Sequence, residues 1–188
     1  MIRVLAALTA ASATATLSAL PARAASGPAC PAPPKAALKA TLKERIDRPA
    51  KGSTAIKAVR VGHLPAGFTY GEPEAARHGG VTEYGYHWSD DRDDTDRAHR
   101  HLWVRVVCWP QARHLAQLRR LPVGVGTFTS AGKTARVGGR KVLAKAGDGA
   151  LGHGRYVGWV ARRGVVVTVM ASEPLVSELP AIVRSIEV

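Results

Sequence analysis

Two stretches of alternating apolar and polar residues, 81–89 (VTEYGYHWS) and 100–109 (RHLWVRVVCW), flank the run Asp90-Asp91-Arg92-Asp93-Asp94-Thr95-Asp96. Side chains of an extended chain alternate between two faces, so period two specifies strands with one buried side. The acidic run is too polar to enter a core and joins the strands as a long-looped hairpin. Pairing Ser89 with His99 sets Tyr84, Tyr86 and Trp88 beside Val104, Leu102 and Arg100. That even-numbered face, extended by Val106 and Cys108, is the expected core. The other face then opposes Glu83 to Arg105, His87 to His101 and Gly85 to Trp103. A slip of one residue would exchange the faces.

Other segments supply the remaining elements. Leu38, Leu42 and Ile46 recur at helical spacing in residues 35–47, after Pro33-Pro34 and before Pro49. Leu64 to Phe68 (LPAGF) reads as a turn, and Glu72 and Glu74 fall in another. Residues 111–120 carry Leu115 and Leu118 at helical spacing and stop at Pro122. After a Gly-rich passage, residues 156–161 and 165–171 form a second hairpin turning at Arg162-Arg163-Gly164. A C-terminal helix places Leu175, Leu179, Ile182, Val183 and Ile186 on one face, restarting at Pro180. Strands in hairpins with helices between them specify an α+β fold. Its antiparallel sheet is expected to be packed on one face by N-terminal, central and C-terminal helices.

The N-terminus carries an export pattern. Arg3 precedes the uncharged run of 17 residues from Val4 to Leu20, and Pro21 breaks it. Ala22-Arg23-Ala24 then offers small residues at −3 and −1, so cleavage is expected before Ala25. The run is at the short edge of what spans a bilayer. Cys30 lies ten residues beyond Leu20, too far on to be a lipidation site. The expected organisation is a signal over residues 1–24, a Pro/Ala-rich segment with a short amphipathic helix over 25–55, and one α+β unit over 56–188. No transmembrane segment is expected in the mature chain.

Without Arg3 and Arg23 the chain keeps 25 basic and 14 acidic side chains, a net charge of +11. Outside a cell, the anions such a surface meets are cell-wall polymers, membrane-surface headgroups and acidic polysaccharide rather than nucleic acid. The basic residues are scattered singly or in pairs, which also fits a solvated surface. Cys30 and Cys108 are the only cysteines. In an oxidising compartment an even pair is expected to form one disulfide, clipping the Pro-rich segment to a central strand.

Candidate chemistry is sparse. The stretch 126–134 (GTFTSAGKT) has five residues between its glycines where a phosphate loop needs four. Counted from Asp91 as a calcium loop, position six is Asp96 rather than Gly and position twelve is Leu102 rather than Glu, leaving only an irregular acidic site. His99 and His101 share a strand face that His87 approaches, so three imidazoles and an acidic-loop carboxylate form a candidate zinc site. No G-x-S-x-G elbow occurs. Glu173 with Glu178, and Glu72 with Glu74, are not spaced to flank a sugar from opposite sides. The second face of the first hairpin, with Trp103, Arg105 and Trp109, is the candidate binding surface for a sugar ring or partner peptide unless a helix covers it. No cofactor is expected.

The LPAGF turn, Val137-Gly138-Gly139, the VGWV strand (residues 157–160), a Val-rich strand and a terminal LPAIVRSI (residues 179–186) resemble a family of small extracytoplasmic modules of Gram-positive, actinobacterial type. These occur as free exported proteins and as outer domains of anti-sigma factors. The resemblance implies a helix-backed antiparallel sheet that binds or senses, with no enzymatic residues to transfer. The chain departs from the membrane-bound members in lacking a transmembrane segment. Two functions are thus expected: a secreted, non-enzymatic module binding an anionic envelope component or a protein partner, or a metal-dependent extracellular enzyme using His87, His99, His101 and the acidic run.

Overall fold

The computed structural model of the chain describes residues 30–33, 48–90, 98–129, 131–147 and 153–188. The expected signal, the amphipathic stretch 35–47 and the acidic residues 91–96 lie outside them. Nine strands are present among the described residues: β1 (Arg60–Val61), β2 (Tyr70–His78), β3 (Val81–Ser89), β4 (His101–Cys108), β5 (Lys133–Val137), β6 (Arg140–Ala146), β7 (Gly154–Arg162), β8 (Val165–Ser172) and β9 (Ile186–Glu187). Seven form one antiparallel sheet in the order β2-β3-β4-β8-β7-β6-β5, while β1 pairs with β9.

β8 lies in the middle of this sheet and reads VVVTVMAS, buried along its whole length. A strand covered on both faces needs apolar residues at successive positions, which is why alternation vanishes there. The edge strand β2 is the opposite case. Glu72-Pro73-Glu74 looks like a turn in sequence, yet all three residues pair with β3. Proline removes one donor, which an edge strand tolerates because its outer row of amides is unpaired anyway.

β3 and β4 pair with Ser89 opposite His101, two residues from the expected register. A shift of two preserves the faces. Tyr84, Tyr86, Trp88, Leu102, Val104 and Val106 are all buried in one cluster. They meet α1 (Leu179–Ser185) through Leu179, Ile182 and Val183, together with the chain around Ile56 and Val59. Tyr86 and Trp88 also fasten residue 50: the Tyr86 hydroxyl accepts from the Ala50 N–H, and Trp88 Nε1 donates to the Ala50 carbonyl, each at 2.9 Å. Cys30 and Cys108 are bonded, with Cα atoms 5.6 Å apart, and tie residue 30 to the end of β4 on this first face.

The expectation of three helices on one face is corrected. α1 covers the first face. The central segment is a short 3-10 helix (Leu115–Arg120), and it lies on the second face with Leu118 against Val107, Phe128, Leu143, Tyr156 and Val166. The stretch expected to form the N-terminal helix falls outside the described residues. A sheet this apolar in its middle buries both sides, and residues 111–129 supply the second cover. No helix among the described residues is long and apolar enough to cross a membrane.

Candidate functional site

The second face places its polar residues in two rows across the strands. Register aligns Glu72, His87, Trp103, Met170, Tyr156 and Lys145 in one row. The next row runs from Glu74 through Gly85, Arg105 and Thr168 to Gly158. A Cβ at Gly85 would lie 2.3 Å from the Val104 carbonyl oxygen, so only glycine fits between Glu74 and Arg105.

Arg105 organises this face. It is 2% exposed, and its guanidinium is distributed among four acceptors. Nη1 donates to Glu83 Oε2 at 2.7 Å and to the Val125 carbonyl at 2.9 Å. Nη2 donates to the Tyr156 hydroxyl at 2.6 Å, and Nε to Thr168 Oγ1 at 3.2 Å. Glu83 stands opposite Val107 rather than Arg105 and reaches the guanidinium diagonally. A buried charge is tolerated where its partner and most of its donors are accommodated, and four of the five N–H donors of Arg105 are matched here. Burial raises the Tyr156 phenol above its ordinary pKa, with Arg105 opposing. The phenol therefore serves as a neutral acceptor.

Residues 121–129 close over this network. His78 Nε2 accepts the Gly124 N–H at 3.0 Å and stands 3.2 Å from Glu83 Oε1. Gly126 has φ +72°, and a Cβ there would meet the Tyr156 hydroxyl oxygen at 2.7 Å. The loop therefore touches the phenol with bare backbone. Phe128 stacks on Tyr156 with ring centroids 4.5 Å apart.

Beyond the loop, Trp103 is half-buried, and the Arg105 guanidinium lies over its ring at 4.4 Å from the centroid. The half-buried His87 and Glu74 and the exposed Glu72 come from the neighbouring strands. The Glu74 carboxyl is pushed up to about 7, first by burial and then by Glu72; Arg105 pulls it back most strongly, Glu83 raises it and the Trp103 indole lowers it. Near neutrality this carboxyl can donate or accept a hydrogen bond, and Trp103 offers an aromatic plate beside it.

The three residues expected to bind together separate into two places. Trp103 and Arg105 are neighbours, with Arg105 committed inside the protein and holding the indole from behind. Trp109 lies six residues further along the chain, about 20 Å away at strand rise. There it is half-buried against the second-face core, its N–H bonded to the Gly164 carbonyl at 2.9 Å. Of the three candidate zinc ligands, His101 is within 5.3 Å of His87 and 5.2 Å of His99, ring centre to ring centre. His99 is buried, with Nδ1 3.2 Å from Asp90 Oδ1. The rings meet edge to face, and no group of three His, Cys, Asp or Glu is placed to share an ion among the described residues. Glu173 and Glu178 are near the C-terminal helix, where Glu178 Oε2 meets His63 Nε2 at 3.2 Å.

No family model, curated protein or solved structure matches this chain. The site's own geometry must carry its reading. Sequence reasoning reached Trp103, Arg105 and the faces they occupy. It missed Tyr156 as an acceptor, Glu74 as a strand residue and Gly126 as the contact closing the network. Gly126 was visible only as the first glycine of a phosphate-loop pattern that fails on spacing, and nothing in that spacing marks the phenol beneath it.

Proposed function

We propose that this chain is an exported, non-enzymatic binding module whose ligand is a glycan of the cell envelope, received on Trp103. One observation carries the reading: Trp103 is held at one ring face by the buried Arg105 guanidinium while His87, Glu72 and Glu74 flank it at the surface. A fixed aromatic plate beside groups that donate and accept hydrogen bonds is the arrangement a sugar ring requires, with apolar C–H faces on the plate and hydroxyls at its rim. Four of the five N–H donors of Arg105 are already matched to protein acceptors, which suits a mount for the indole better than a reactive centre. The Cys30–Cys108 disulfide and the N-terminal export pattern support an oxidising, extracytoplasmic location. The resemblance to sensor modules points the same way.

The test is retention on an insoluble β-linked N-acetylglucosamine polymer, comparing the full chain with Trp103→Ala and Trp109→Ala. Retention lost in Trp103→Ala and kept in Trp109→Ala supports the site. Absence of retention by the full chain, or equal loss in both variants, rejects it.

A further inference from the structure

Charge is divided unequally across the sheet. β2 and β3 carry Glu72, Glu74 and Glu83, whereas β5, β6 and β7 (KTARV, RKVLAKA, GRYVGWVAR) carry seven Lys or Arg and no acid. Over residues 131–164 there are eight Lys or Arg against one acid, Asp148, which lies outside the described residues. Where these strands meet, the surface is hollowed by about 440 Å³. Its wall includes Ala135, Ala144 and Ala146, with Lys133, Thr134 and Arg155 around them. Register explains the shape. Lys133 stands opposite Ala144 and Arg155 opposite Ala146, so both cations share the first face with the alanines. Three methyl groups fill less room than the large residues that floor this face elsewhere, and they leave a trough between two exposed cations.

Lysine on the edge strand β5 is explained in part by protection against strand addition. Arg155 needs another reason, because it lies two strands inward on the same face. Two strands of separation and a two-residue offset put the Lys133 and Arg155 Cα atoms about 12 Å apart. A chain laid diagonally across the alanines passes both cations. Lysine supplies a point charge and arginine a two-pronged donor, the pair of groups used to hold phosphate oxygens.

We propose that this trough binds a linear polymer with repeating phosphodiester groups, as a polyol phosphate of the envelope has, independently of Trp103. The preference for an envelope polymer over nucleic acid rests on the exported reading above.

The probe is a synthetic polyglycerol phosphate, titrated into the full chain at several salt concentrations. Inorganic phosphate, phosphatidylglycerol vesicles and duplex DNA are run in parallel. The double variant Lys133→Ala/Arg155→Ala is expected to bind the polymer about ten-fold more weakly and to lower the slope of log affinity against log salt by about two, because two cation contacts are gone. Arg119→Ala/Arg120→Ala, an equal charge change at exposed positions on the second-face cover, is expected to alter affinity less than two-fold, and Trp103→Ala not at all. Circular dichroism checks that each variant is folded. Equal losses in the two double variants would mean diffuse attraction and overturn the proposal. So would tighter binding to DNA or vesicles, saturation by inorganic phosphate at the same concentration, or no binding of the polymer.

Discussion

Arg105 Nη2 donates to the Tyr156 hydroxyl at 2.6 Å directly beneath the bare backbone of Gly126. The contact joins β4 to β7 across β8, and the loop at residues 121–129 closes on both groups. Sheet, guanidinium, phenol and loop are thereby one structural unit.

Arg105→Ala leaves the Glu83 carboxylate, 7% exposed, without its principal partner. The cost is expected to be about 3–5 kcal/mol in urea unfolding, the range for breaking one side of a buried pair. Arg105→Lys is expected to recover less than half, since an ammonium cannot serve Glu83, Val125, Tyr156 and Thr168 together. Full stability in Arg105→Ala would show that the network contributes nothing.

Gly126→Ala combines a left-handed backbone, φ +72°, with a collision at the phenol. The expected loss is about 2–3 kcal/mol. Gly139 provides the internal comparison: its φ is +83°, but nothing lies within 4 Å of an added Cβ. Gly139→Ala is expected to cost only about 1 kcal/mol by the same unfolding measurement.

Glu74 gives stability an unusual dependence on pH. Its carboxyl titrates near 7 when folded, raised chiefly by burial, against 4.5 for an unperturbed group. Below pH 4.5 both states hold the proton and the group is neutral in its effect. Between 4.5 and 7 the unfolded chain has lost the proton while the folded one retains it, so stability falls as pH rises. Above 7 the loss is complete. Glu74→Gln is therefore expected to gain on the parent progressively from pH 5 to pH 7 and to hold that gain at pH 8, read as the difference between their unfolding midpoints. A constant difference across that range would contradict the shift.

The Cys30–Cys108 bond joins residues 78 apart in sequence. Closing a loop of that length in the unfolded chain is worth about 4 kcal/mol. Cys30→Ser/Cys108→Ser is expected to unfold at correspondingly lower urea, and the unmutated chain to match it once reduced.

The faces of the sheet were legible because the sequence-based register erred by two residues, an even number. Ser89 meets His101 rather than His99, so Tyr84, Tyr86 and Trp88 still point into the core. The same shift changed every cross-strand partner, which is why Arg105 faces Gly85 and takes Glu83 on the diagonal. Apolar spacing also located the C-terminal residues Leu175, Leu179, Ile182, Val183 and Ile186, all buried. Edge strands were harder to read. β2 contains Glu72-Pro73-Glu74, and β5 and β6 are rich in Lys and Arg, so neither shows the two-residue period of a half-buried strand. The second-face cover eluded the reading because helical spacing in 111–120 says nothing about which side of a sheet the segment reaches.

The bond at Cys108 also fixes how the molecule answers a pull. Tension applied to the chain upstream of Cys30 passes through the sulfurs straight into the end of β4, bypassing β1, β2 and β3. None of those three strands lies on the covalent path, and β1 feels the pull only through its pairing with β9. With the opposing force at the C-terminus, the shortest covalent path runs from Cys108 to Val188; β8 lies on that path, while β4 up to Val107 lies inside the loop the disulfide closes. A single-molecule stretch is thus predicted to release no contour from residues 31–107 until the disulfide is reduced.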